Sequence, residues 1–220
     1  MGYHLHVASR PTRPALRARY ERRRDEVVES AARVFAERGY AETAVAELAE
    51  ELGLATGALY HYFAGKEELL IEICDQLMEP LLAACRELLA DPAAAPEQRL
   101  RDLVRLWVAH VIAHRNHLLV FTQVRHVVDH GDQWRGVRSS RKQFEELLAG
   151  ALLAAGISDT GLHRYAMLGM VNHTVQWYRP RGPLTPEQIA DGYVDLVIGG
   201  SPPPGVQTLI DPPHDQESGT

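Results

Sequence analysis

Apolar residues return every three or four positions along most of this chain, and the interruptions divide the pattern into helices. Between Asp25 and Tyr40, Val28, Ala31, Ala32 and Phe35 share one helical face with charges between them, and Gly39 supplies a stop. Thr43 is placed to cap a short second helix with Val45, Leu48, Ala49 and Leu52 inward, ended by Gly53, which tolerates the left-handed backbone of a sharp turn. A third helix follows at once, from about Thr56 to Phe63. After Ala64 and Gly65 a long helix starts at Lys66 and carries Leu69, Leu70, Ile73, Leu77, Leu81 and Leu82 inward. Beyond Asp91 the pattern stays helical. Pro96 opens a helix to about Asn116, and further helices are predicted near His117–His130, Trp134–Ala155 and Ser158–Tyr178.

The strongest local start signal is Leu184-Thr185-Pro186-Glu187-Gln188-Ile189. Thr185 is the N-cap, Pro186 the first helical residue, Gln188 the second half of a capping box, and Leu184 staples against Ile189. A last helix therefore spans Pro186 to about Ile198. No strand alternation appears, so the expectation is an all-α chain of about nine helices. It divides into a flexible arm (1–24), a three-helix unit (25–65), a larger helical domain (66–200) and a proline-rich disordered tail (201–220).

Composition adds a second signal. The 220 residues are 45% hydrophobic and 24% charged, ordinary for a globular protein, and no apolar run reaches the eighteen residues a membrane span needs. Met1–Arg10 lacks the apolar stretch of a signal peptide, so the cytoplasm is the expected location and no membrane partner is expected. The net charge of −6 argues against nucleic acid, yet seven arginines in the first twenty-four residues, Arg10, Arg13, Arg17, Arg19, Arg22, Arg23 and Arg24, face only Glu21. A basic arm thus precedes an acidic body.

Two short helices joined by a Gly-containing turn, directly after a basic arm, are the parts of a helix-turn-helix whose second helix can enter the major groove. The residues between Ala31 and Leu70 make the pattern specific: Ala31-Ala32, Phe35, Gly39-Tyr40, Thr43, Leu48-Ala49, Gly53-Leu54, Gly57, Leu59-Tyr60, Phe63 and Lys66-Glu67-Glu68-Leu69. This stretch, about a fifth of the chain, resembles the TetR family of bacterial regulators. The chain departs from it at Ala55, where the family usually has a capping Ser or Thr worth ~1 kcal/mol, and at Tyr62, where it often has His.

The resemblance implies a homodimer that grips a palindromic double-stranded DNA operator and represses transcription. Two recognition helices would then lie ~34–36 Å apart, or a multiple of it. Gly57 allows close approach of the recognition backbone, Tyr60 and His61 donate to phosphates, and Thr43 and Lys66 hold phosphates from the starts of their helices. Thr56 and Ala58 are the candidates for base edges, and Arg22, Arg23 and Arg24 for the minor groove. Leu59 and Phe63 belong to the core.

In the second half the resemblance implies release of DNA by a small-molecule effector and a dimer interface built from the last two helices. Met167, Met170, Val171 and Thr174 on one helix, and Ile189, Tyr193, Leu196 and Val197 on the other, supply faces for that interface. The corner Trp177-Tyr178-Arg179-Pro180-Arg181-Gly182-Pro183-Leu184-Thr185-Pro186 is similar to that of a subgroup including actinobacterial repressors of lipid and sterol-ring breakdown, several of which respond to acyl-CoA thioesters. Candidate pocket residues are Trp107, Val111, His114, Phe121, Val124, Phe144, Met167, Met170, Asn172 and Trp177, with Leu148, Gln123 and His173 as further possibilities.

Rival chemistries find little support. His110 and His114, and His126 and His130 beside Asp129, have the i,i+4 spacing of zinc ligands, but no third ligand can be placed and eleven histidines make chance pairs common. No metal site and no cofactor is therefore expected. Cys74 and Cys85, eleven residues apart on one helix, read as reduced core thiols. An enzyme would need a nucleophile elbow, a phosphate loop or a dinucleotide fingerprint, and the chain contains none. A DNA-bound adaptor governed by a protein partner is the remaining alternative to a small-molecule sensor.

Overall fold

The computed structural model describes residues 13–91, 93–128, 130–157 and 161–199. Among them every regular element is helical: α1 (Pro14–Arg38), α2 (Val45–Glu51), α3 (Thr56–Leu59), α4 (Lys66–Ala90), α5 (Pro96–Ala113), α6 (Arg115–Gln123), α7 (Arg125–Val128), a 3₁₀ turn (Asp132–Trp134), α8 (Arg135–Ala154), α9 (Leu162–Trp177) and α10 (Pro186–Ile198). Ten α-helices replace the nine expected, because the backbone breaks at Val124 (φ −95°, ψ 7°) and divides the predicted 117–130 helix in two. The predicted start of the next-to-last helix at Ser158 lies outside the described residues, as do the tail from 201 onward and residues 1–12 of the arm.

Residues 14–24 are not a flexible leader but the first three turns of α1. Pro14 occupies the first helical position, where its missing N–H costs nothing, and the Ala, Leu and Arg that follow are strong helix formers. The charge run masked a start signal that was present in the sequence.

α1 to α3 enclose a small core of Val28, Ala31, Ala32, Phe35, Leu48, Ala49, Leu59 and Phe63, all buried. Gly53, at φ +62°, makes the turn between α2 and α3 that a side-chain-bearing residue would strain. α4 runs from this unit into the larger domain, burying Leu69, Leu70, Ile73, Leu77, Leu81 and Leu82, and it accommodates Pro80 at the loss of one ladder hydrogen bond. α6 also packs across α1, so both α4 and α6 bridge the two units.

α5 holds α10 through ion pairs as well as apolar contact. Arg105 grips Asp191 bidentately, Nε–Oδ1 and Nη2–Oδ2 both 2.8 Å, and Arg101 pairs with Asp195 at 2.6 Å. The capping box of α10 forms as expected: the Gln188 N–H donates to Thr185 Oγ1 at 3.3 Å, and the Thr185 N–H donates to Gln188 Oε1 at 2.9 Å.

Candidate nucleic-acid interface and effector cavity

In the helix-turn-helix the structure divides the expected contact residues into outward and inward groups. Gly57 and His61 are exposed and Ala58 and Tyr60 half-buried, on the outer side of the segment whose Leu59 and Phe63 fill the core. A Cβ built at Gly57 would meet no protein atom within 4 Å, so no internal packing requires glycine there. Thr56 opens α3, but its side chain lies outside the described residues.

Three of the expected DNA-contacting side chains are committed elsewhere. Thr43 is buried and its hydroxyl donates to the Gly39 carbonyl at 2.7 Å; the N-cap of α2 is Ala44, whose N–H is taken by Glu47 at 3.2 Å. Lys66 turns its ammonium into the α1–α2 loop, donating to the carbonyls of Tyr40 (2.5 Å) and Thr43 (2.8 Å) and lying 4.4 Å from the Tyr40 ring centroid. Burial holds its pKa below the usual lysine value, with Glu42 opposing. Arg24 pairs with Glu72 at 2.5 Å and lies over the Phe63 ring at 4.6 Å. Burial is the largest single influence and works against its charge, but the hydrogen bond and negative charge of Glu72, with Glu68 and Tyr20, together raise its pKa. These three fasten α1, the α1–α2 loop and α4 together behind the recognition segment. Arg22 and Arg23 are exposed, Arg23 in a loose pair with Glu26 at 2.7 Å.

The larger domain holds a cavity of about 350 Å³. Leu77, Met78 and Leu81 of α4, Trp107 and Val111 of α5, Leu118 and Phe121 of α6, Phe144 of α8 and Leu168 of α9 form its apolar wall. The Trp107 and Phe144 rings meet edge to face at 4.7 Å. Polar groups come from Thr122, Arg125, Arg141, Glu145, Tyr165 and Asn172. Five expected residues, Trp107, Val111, Phe121, Phe144 and Asn172, thus line it.

The other five do not. Tyr165, Leu168, Gly169 and Asn172 share the cavity face of α9 at helical spacing, which turns Met167 into the protomer core and leaves Met170 half-buried to one side. Val124 is core, and Trp177 is 41% exposed at the end of α9. His114 faces a surface hollow by α1, its ring stacked on His110 at 4.2 Å. Leu148 is plain core, His173 is exposed, and Gln123 donates to the Ala36 carbonyl of α1 at 3.3 Å. The wall from α4 and the two arginines were missed, the former because its apolar stripe reads as ordinary core, the latter because nothing in the sequence says which arginine overlooks a cavity.

The histidine pairs are held by the protein. His110 Nε2 lies 2.7 Å from the Leu77 carbonyl, and burial lowers its pKa. His130 Nδ1 lies 3.2 Å from the His126 carbonyl, and Asp129 is outside the described residues. Among the described residues no three His, Cys, Asp or Glu side chains are arranged to hold a metal ion. His117 is buried, with neither ring nitrogen hydrogen-bonded and Nε2 3.8 Å from Glu29 of α1; burial lowers its pKa.

Comparison with known proteins matches residues 27–73 to the "Bacterial regulatory proteins, tetR family" model and residues 93–201 to "Tetracyclin repressor-like, C-terminal domain". The HTH-type transcriptional repressor KstR2 of Mycobacterium tuberculosis is 30% identical over 191 residues, 84% of this chain and 95% of that protein. This chain belongs to the TetR family of transcriptional regulators. The structure described as ketosteroid transcriptional regulator KstR2 of M. tuberculosis superposes with a TM-score of 0.72 at 27% identity, covering 88% of this chain and 97% of that one. AibR, solved in complex with isovaleryl coenzyme A and operator DNA, superposes at 0.65 and 27% identity, over 81% and 100%. As a TetR-family repressor the chain is a DNA-binding regulator and not an enzyme.

Seen as a TetR-family protomer, the chain buries several residues expected at the dimer interface. Met167, Val171, Thr174 and Ile189 lie inside the single protomer. On α8, α9 and α10 the exposed large apolar side chains are Leu153, Leu162, Tyr165, Trp177, Leu196 and Ile198, and Leu16 of α1 is exposed as well. Gly169 and Gly192 have open space where a Cβ would stand. Among the described residues no helix is long and apolar enough to cross a membrane.

Proposed function

We propose that this TetR-family repressor acts in the cytoplasm as a homodimer and is released from a palindromic operator when a lipid-like acyl-CoA thioester enters its cavity. The observation that carries the reading is the cavity itself. Its wall is apolar, two arginines overlook it, and the helices α4 and α6 that line it also pack on α1 of the DNA-binding unit. A volume of about 350 Å³, the low end of the ~300–1,000 Å³ typical of ligand pockets, suits an acyl chain or small ring system and not a whole CoA ester. The nucleotide head would stay outside, near the exposed Arg125, where a guanidinium suits phosphate. Occupancy that separates α4 from α6 would change the tilt of α1 and thus the spacing of the two recognition segments. The solved AibR complex with isovaleryl coenzyme A and operator DNA, and the KstR2 likeness, support this chemistry. The exposed apolar side chains of α9 and α10 support a dimer face there.

On the DNA side, Gly57, Ala58, Tyr60 and His61 are proposed to meet the major groove and its phosphates, with Thr56 beside them. The test is a panel of acyl-CoA esters in two assays. A ligand at about 100 times its Kd adds ~2.7 kcal/mol, a rise in melting temperature of roughly 5–10 °C for a chain of this size. The same ester should weaken binding to DNA from upstream of the protein's own gene. A broad panel that moves neither quantity overturns the acyl-CoA reading.

A further inference from the structure

We infer that the N-terminal extension of α1, residues 13–23, is a second DNA-contacting surface, a rigid basic rail that engages phosphates flanking the sequence read by the helix-turn-helix. The inference rests on DNA binding by that unit and adds a surface to it. Eleven residues of helix, residues 14–24, carry α1 about 16 Å beyond Asp25, where the apolar pattern begins. This overhang is not free to swing. The Tyr20 ring stacks on Tyr62 at 5.1 Å, and its hydroxyl donates to the His61 carbonyl at 3.1 Å, so the extension is pinned to the end of the recognition segment itself.

Helical spacing then sets where the charges point. Arg13 and Arg17 lie on the same stripe as Tyr20 and Arg24, one and two turns before the pinned tyrosine. Tyr20 and Arg24 are seated on the turn that follows α3, so the same stripe carries the exposed Arg17 past that turn. Arg19 and Arg23 flank an open hollow between this stretch of α1 and Tyr62. Over residues 13–23 five arginines face one glutamate, Glu21, in a chain whose net charge is −6. The pair Arg23–Glu26 is exposed on both sides, and such pairs are weak enough to exchange for a phosphate. Charge and continuity with the helix-turn-helix both commit the surface to a DNA backbone. An acidic protein partner would not need the rail to be fixed to the recognition segment.

The experiment compares the full-length protein with Arg17→Ala/Arg19→Ala/Arg23→Ala and with the corresponding triple Arg→Lys variant. Binding to a random-sequence duplex several helical turns long is followed by fluorescence anisotropy across a salt titration. Alanine is a strong helix former, so the exposed helix survives the substitution, and circular dichroism checks it. Each phosphate contact contributes about 0.9 to the slope of log affinity against log salt, so the alanine variant loses roughly 2 to 3 in slope per protomer while the lysine variant keeps it. An alanine variant with wild-type slope and affinity overturns the proposal, provided Tyr60→Phe lowers both. If Tyr60→Phe is also silent, the fault lies with the assignment of the helix-turn-helix contacts and the rail falls with it.

Discussion

Replacing Lys66 by methionine separates two roles that predict opposite results. The substitution keeps the apolar stem and removes the ammonium, which in the structure donates to the Tyr40 and Thr43 carbonyls and lies over the Tyr40 ring. A bond from a charged donor is worth ~1.5–3 kcal/mol and an acceptor left unpaired costs ~1–3 kcal/mol. A cation over an aromatic ring adds ~0.5–1 kcal/mol. Against these stands the burial that already lowers the lysine's pKa. The net loss is therefore put at about 2 kcal/mol, which for a chain of this length lowers the melting temperature by roughly 4–8 °C. Calorimetry at pH 7 reads it, and salt-dependent DNA binding well below the transition reads the other role. If Lys66 instead contacts phosphate, the melting temperature stays put and the salt slope falls by about 0.9. That pair of results would refute the reasoning, and with it the view that Lys66 positions the recognition segment from behind.

Three further outcomes are expected. Tyr60→Phe should weaken operator and unrelated DNA about equally and lower the salt slope, because a phosphate contact carries no sequence information; a loss confined to the operator would mean base readout. Val111→Trp should fill the cavity beside Trp107 and leave DNA binding intact while abolishing release by acyl-CoA esters in the anisotropy assay; undiminished release would place the effector elsewhere. Asp75, half-buried on α4, has its pKa raised to about 6 by burial first and then by Glu72 and Glu79. A carboxyl whose folded pKa is raised contributes stability that is fully present below its unfolded value near 3.8 and lost as the pH rises through 6. Asp75→Asn should therefore raise the melting temperature at pH 7 by a few degrees, with the gain shrinking as the pH falls through 6 toward 4. A gain independent of pH, or none, would remove the burial argument.

What the sequence by itself determined is what lies within a few residues of chain. Apolar spacing marked the helices, Gly53 marked the turn of the helix-turn-helix, and Thr185 with Gln188 marked the start of α10, because a helical face, a left-handed turn and a capping box are each closed by neighbours in sequence. The joint spacing of those signals also carried the family. The tertiary structure decided where polar and ambiguous side chains find partners. Lys66 and Thr43 had the right chemistry for phosphate, yet the carbonyls of Tyr40 and Gly39 claim them. Arg24 resembled its neighbours Arg22 and Arg23 until α4 brought Glu72 to it. On α9, the apolar spacing put Met167, Met170 and Asn172 together as pocket candidates and could not say that Leu168 and Asn172 meet a cavity while Met167 and Val171 meet the protomer core. Local pattern assigns residues to a face; only the packing of distant helices supplies what that face meets.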